Sequence, residues 1–342
     1  MGSREAISLD KDERFNRSRQ AKRFFLLGLL VVIALGGALL SIVKGAVYIS
    51  PAEVWRTLVN QGTDAYSQVI WNIRLPRTIV GALVGCNLAV AGAILQAVMR
   101  NPLADPHIIG ISAGAGLAGV AVMILYPELE ALITPGAFIG AMLAAAAIYS
   151  LAWKGGIRPV RMILAGVAVS AFLGSGISAL MIFYSDRVHG ALMWMVGGLS
   201  ARSWPHVAVI WPYTVLGGLL AYLGAARLNL LQLGDDTARG LGLDVEMTRT
   251  VMTAVAALLA ASAVSVAGLL GFVGLIVPHA ARLLIGSDYR FLLPASALLG
   301  MGVVMLSDTL ARIMLAPVEL PVGIIMAFAG APFFLYLLRR EM

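Results

Sequence analysis

The chain has 342 residues, 60% of them hydrophobic and only 13% charged, with a formal net charge of +7. Soluble domains carry about 25% charged residues, so a chain this poor in charge could not cover its own surface in water; it reads as an all-α, polytopic membrane protein. A single cysteine, Cys86, excludes an intramolecular disulfide, and His107, His189, His206 and His279 lack metal-ligand spacing.

Residues 1–23 form a polar N-terminal extension with seven basic residues, too long and too acidic for a signal sequence. Residues 24–342 then form a single membrane domain, beginning with a retained span over 24–43. A spanning helix needs about 20 mostly apolar residues. Further candidates are 78–99, 108–126, 135–153, 162–184, 205–226, 250–270, 272–285, 291–311 and 322–338, which makes about ten transmembrane helices. The eighth is short and contains Pro278-His279.

Ten spans place both termini on the same side. That side then carries 18 of the 25 lysines and arginines, which predicts cytoplasmic termini. The basic residues lie before the first apolar run and at helix ends, where they suit membrane lipid; nothing forms a nucleic-acid patch.

Several segments between the spans carry local signals. Residues 50–60 read as a short outer helix with Ser50 as N-cap and Pro51 at its first position. Arg74-Leu-Pro-Arg77 offers planar forks suited to carboxylates or lipid phosphates on an extended backbone. Arg100-Asn-Pro-Leu-Ala-Asp-Pro-His107 is polar and proline-fixed between two apolar runs. A bilayer tolerates such backbone only at its surface or beside protein and a wet cavity. Residues 189–199 form a short amphipathic stretch rich in Met and Trp.

The inner loop over about 227–249 is the most telling soluble-facing element. Gly234 breaks the chain, Asp235 suits the cap of a short helix, Gly240 and Gly242 stop it, and Asp244 suits the cap of a second. Two such helices would show Ala238, Leu241 and Leu243 as a knob fitted to a partner's groove.

None of the four lysines follows a glycine, so the chain lacks a phosphate-cradling loop, and any ATP must be hydrolysed by another subunit. The only acid within a span is Asp308, with Arg312 four residues later, the favourable spacing for a helix-end ion pair. That weakens the alternative, an ion-gradient-driven secondary transporter acting alone, which would bury acids at midplane. Paired acids, nucleophiles and metal constellations are absent from the spans, so an enzyme is not expected.

Arg74-Leu-Pro-Arg77, Gly92…Gln96…Arg100-Asn-Pro-Leu-Ala-Asp-Pro106, Leu164-Ala-Gly166 and Trp194-Met-Val-Gly-Gly198 occur in order. Ala238-Arg-Gly-Leu-Gly242, Gly271-Phe-Val-Gly-Leu-Ile-Val-Pro-His279, Asp308…Arg312, Glu319-Leu-Pro-Val-Gly323 and Gly330-Ala-Pro-Phe-Phe334 follow. This ordered set resembles the permease subunits of bacterial ABC importers for ferric siderophores, haem and cobalamin, over about 74–340.

The resemblance implies a cobalamin/siderophore permease-like fold and a homodimer with its pathway at the interface. It also implies two cytoplasmic ABC ATPase subunits that use ATP and Mg, and an extracytoplasmic solute-binding protein; the permease itself binds no cofactor or metal. Carried onto this chain, Ala238, Arg239, Gly240, Leu241, Gly242 and Leu243 seat in the ATPase. Arg74, Arg77 and Arg312 dock the binding protein. Asn101 and Leu103, with Pro159 and Val160, narrow the inner gate, although Pro159-Val160 lacks the small hydroxylic residues of some relatives. Substrate then passes by alternating access, a ferric siderophore being the first expectation.

Overall fold

A computed structural model describes residues 2–45, 49–60, 65–154, 156 and 159–341. Arg158 and the side chains of the basic run before residue 20 lie outside the described residues. The described residues are mostly helical: α1 (Gly2–Val43), α2 (Pro51–Asn60), α3 (Ala65–Val69), then a π-helical turn (Ile70–Arg74) running into α4 (Leu75–Val98). After these come α5 (Pro106–Ile109), α6 (Ile111–Leu125), α7 (Ile133–Ala152), α8 (Pro159–Phe183), α9 (Val188–Val196) and α10 (Trp204–Leu223). The chain finishes with α11 (Ala225–Leu231), α12 (Asp235–Gly240), α13 (Val245–Ala267), α14 (Val273–Ile285), α15 (Tyr289–Met314) and α16 (Val322–Glu341).

Among the described residues, eight helical runs are long and apolar enough to cross a membrane, and they match eight of the ten expected spans. The other two are shorter apolar helices. Helices α6 and α14 have 15 and 13 residues. At about 1.5 Å per residue they fall well short of a bilayer core of about 30 Å.

The expected span over 108–126 is interrupted because Gly110 sits at φ 100, a left-handed conformation that ends α5 and starts α6 afresh. Asp105 caps α5 by accepting from the His107 backbone N–H at 2.7 Å, and Pro106 occupies the first helical position. The eighth span keeps its expected short length as α14, and a non-helical passage in which Gly268 and Phe272 both have positive φ separates it from α13. A further difference from expectation lies at the N-terminus, where α1 runs unbroken from the polar extension into the first span.

Helices α4 and α13 form the centre, with 83% and 78% of their spanning windows buried, whereas α8 is only 11% buried. Their packing depends on small residues, since lipid offers helices no hydrophobic drive to associate. A Cβ at Gly85 would lie 2.1 Å from the Gly300 carbonyl oxygen, and one at Gly300 would lie 2.3 Å from that of Gly85. Thus α4 and α15 touch backbone to backbone. α1 packs along α15 on one flank, and α6, α7 and α8 form the other.

Candidate functional site

Two clusters of charge sit at opposite ends of the bundle, with a cavity between them. At the end carrying α2, Arg77 donates from Nε and Nη2 to the two carboxylate oxygens of Asp308, both at 3.0 Å, and from Nη1 to Glu319 at 2.8 Å. Arg312 reaches Asp308 at 3.2 Å and donates to the Ser41 and Lys44 carbonyls at 3.0 and 3.1 Å. Arg74 donates to the Ile42 and Val43 carbonyls at 2.6 and 3.0 Å. The π-helical turn shifts the helical phase just before α4 and delivers Arg74 to the end of α1.

All three arginines expected to dock a partner are therefore buried and engaged within the chain, with 5–6% of their surface exposed. To reach a partner's carboxylate, Arg77 would have to leave two of its own. Within the single chain the three residues serve as internal pins, which tie α1, α4, α15 and the 315–321 segment together. Burial works against the charged form of Glu319, but the hydrogen bond and charge of Arg77, with help from Ser200 and Arg312, hold its carboxyl below the usual carboxylate range.

At the other end, α12 and its flanks form the expected knob with three changes. Ala238 is fully buried, packed beneath the knob, while Leu241 is 59% exposed and becomes its apolar tip; Arg239, Gly240 and Gly242 are exposed and Leu243 half-buried. Asp244 does cap, accepting from the Met247 N–H at 2.9 Å, but it starts the long α13 rather than a second short helix. Nor is Asp235 the N-cap. Gly234 occupies that place at φ 98, which frees the Asp235 carboxylate to take Arg249 at 2.8 and 3.0 Å and Arg100 at 3.3 Å.

Arg100 opens the segment containing Asn101 and Leu103. Both residues are half-buried, and the Asn101 side chain accepts from the Leu103 N–H at 2.9 Å. Pro159 begins α8 half-buried, and Val160 beside it is 67% exposed.

Between the two ends lies a cavity of about 980 Å³, walled by Phe272 and Leu275 of the α14 passage, Met195 and Val196 of α9, and Phe328 and Phe334 of α16. Asp105 and His107 are its titratable lining residues. Two short helices border the space: α5–α6 and α14 both begin beside Gly92, where Asp105 and Gly274 meet. The sequence offered one signal for this, the proline-fixed run ending at His107. Phe272 and Phe334 stood in the ordered motifs, but nothing there marked them as walls of a cavity.

Residues 30–340 match the sequence profile of the FecCD transport family. The chain belongs to the FecCD transport family. It is 40% identical over 325 residues to the Fe(3+)-citrate import system permease protein YfmE of Bacillus subtilis, covering 94% of this chain and 97% of that one. It is also 40% identical to the hemin transport system permease protein HmuU of Yersinia pestis, over 93% and 95% of the two chains. A solved structure described as an inward-facing metal-chelate type ABC transporter superposes with a TM-score of 0.81 at 28% identity, covering 92% of this chain and 98% of that one.

As a FecCD protein the chain is a multi-pass permease subunit of an ABC importer, not an enzyme, and ATP hydrolysis lies in a separate ATPase partner. Members of the family pair with an ATPase and a binding protein. These relatives support the subunit reading and not the ion-driven transporter acting alone.

Proposed function

We propose that two copies of this chain enclose a path for a ferric chelate, a siderophore complex in the first instance, which two cytoplasmic ATPases using ATP and Mg drive inward by alternating access. The observation carrying this reading is the cavity of about 980 Å³. It stands at the upper end of small-molecule sites, roughly 300–1,000 Å³, and its lining is mostly apolar. Such a wall suits a bulky metal chelate whose charge is internally satisfied. The cavity is open on one side, beside the exposed Phe328 of α16, and a second copy would supply the missing wall.

The knob end faces the cytoplasm in this reading. Arg100, Lys154, Arg161, Arg239, Arg249 and Arg282 gather there, as the charge bias of inner loops requires. Residues 238–243 seat in the ATPase through Leu241, Asn101 and Leu103 with Pro159 and Val160 narrow the inner mouth, and the α2 end receives the extracytoplasmic binding protein. Arg74, Arg77 and Arg312 serve docking by holding that surface in shape.

Uptake into vesicles containing this chain, its ATPase and its binding protein tests the cargo. Ferric hydroxamate or ferric citrate should be concentrated in preference to haem and cobalamin, and preference for cobalamin would overturn the assignment. Pairing is tested by Phe328→Cys in a Cys86→Ser background. Bifunctional thiol reagents should trap a dimer in membranes, and a monomer at every spacer length would reject it.

A further inference from the structure

We infer that Asp235 is a positioning residue that ties the ATPase-facing knob to the mouth of the translocation path, with Arg100 as the arm that carries the motion. The inference rests on the coupling and gate roles proposed above for residues 238–243 and for Asn101 and Leu103.

The observation begins with how two helices end. Helix α12 closes with bonds from the Gly242 N–H to the Arg239 carbonyl and from the Leu243 N–H to the Ala238 carbonyl, at 2.9 and 3.0 Å. This paired closure requires a left-handed residue, and Gly242 supplies it at φ 84. Helix α4 closes in the same way, from the Arg100 N–H to Ala97 and from the Asn101 N–H to Gln96, both at 3.1 Å. Its left-handed residue, however, is Arg100 at φ 48. Glycine would hold that backbone without the steric cost that a Cβ adds. A strained residue kept where an unstrained one would serve points to use of its side chain.

The Arg100 side chain has a definite partner. Its Nη1 donates to Asp235 Oδ1 at 3.3 Å, across 135 residues of sequence. The same carboxylate is clamped from behind by Arg249 of α13, at 2.8 and 3.0 Å. The two arms differ in burial. The Arg249 side chain is 3% exposed and the Arg100 side chain 47%. Asp235 is thus fixed to α12 by the backbone and to α13 by a bidentate pair with a buried arginine, and it holds the gate segment by a single contact with an exposed one. Exposed pairs contribute little to stability. The Arg100 arm is therefore a register device: displacement of α12 moves the carboxylate, and the carboxylate carries the first residue of the Asn101–Leu103 turn with it.

The test uses the full chain in nanodiscs with its ATPase, in a Cys86→Ser background carrying Leu103→Cys. The readout is the rate of labelling by a small methanethiosulfonate reagent, compared between nucleotide-free and ATP–vanadate-trapped complexes. In the parent the two states should differ about fivefold or more, the usual range for coupled sites. Arg100→Gly should remove that difference while ATPase co-purification and ATP turnover persist, and Arg100→Lys should retain most of it. Asp235→Asn should remove it as well. Because Arg100→Gly relieves backbone strain, it also separates lost coupling from lost folding. A nucleotide response of parental size in Arg100→Gly would overturn the inference and leave the gate assignment standing. A parent with no response would overturn the gate assignment and this inference with it.

Discussion

The two ends of the bundle use the same chemistry, arginine against carboxylate, in opposite ways. At the α2 end, Asp308, Arg77 and Arg312 have side chains 3%, 7% and 4% exposed and tie together segments more than 200 residues apart in sequence. At the knob end, Asp235 is 30% and Arg100 47% exposed. A dry network cannot change partners without leaving a bare charge, so it acts as framework. A wet one can open and close at small cost, so it can serve where elements move. The difference teaches that burial, more than the presence of an ion pair, separates scaffold from linkage in this permease.

The largest effect should come from breaking the framework. Asp308→Asn leaves Arg77 and Arg312 buried without their shared counter-charge, and removal of one partner from such a network costs about 3–5 kcal/mol. The midpoint of thermal unfolding in detergent should fall sharply. Coupling Asp308→Asn with Arg77→Leu should return part of the loss, because the second change removes one of the stranded charges. Strictly additive losses would show that the two residues do not act as a pair.

Close helix contact comes next. Gly85→Val would push a side chain into the Gly300 carbonyl, 2.1 Å from the ideal Cβ position, forcing α4 and α15 apart. Overpacking of this kind costs about 1–3 kcal/mol. Equal thermal stability in the variant would show that the interface has slack.

The Arg77–Glu319 bond should matter less, because the Glu319 side chain is 37% exposed. An exposed pair contributes at most about 1 kcal/mol. Its pH dependence has a definite sign. The folded-state carboxyl of Glu319 is held below its ordinary range, so its contribution is complete above the unfolded value of about 4.3 and is lost as pH falls through the lower folded value. The stability gap between wild type and Glu319→Gln should be constant near neutrality and close only in acid below pH 4.3. A gap that closed nearer pH 6 would assign it to another group.

These contrasts mark what could be read from the chain alone. The ten apolar stretches were legible because bilayer thickness imposes a length that single residues cannot disguise. The brevity of α14 was legible too, because its apolar run is itself short; the break before α6 was not, since it depends on left-handed backbone at Gly110 that composition does not announce. Asp308 and Arg312 were visible as neighbours on one helix. That Arg77 would claim the same carboxylate from 231 residues away was not, so the arginines looked available to a partner. Asp235 was misjudged for the same reason: local spacing suggested a cap, while its partners lie on two other elements.

The smallest stability effect belongs to the knob's tip, and it sharpens the comparison most. Leu241 is 59% exposed, so Leu241→Ser should change unfolding by no more than about 0.5 kcal/mol. If the exposed leucine is an anchor in the ATPase groove, the same substitution should weaken co-purification about tenfold or more, as loss of a central apolar contact does. Ala238, three residues earlier, should behave in reverse. It is fully buried, so Ala238→Leu should destabilise the loop and lower ATPase association only in proportion to the folded protein lost. Equal behaviour of the two variants would mean that residues 238–243 act as one ordered connector. Opposite behaviour would show that a single side chain, standing on a buried base, makes the contact.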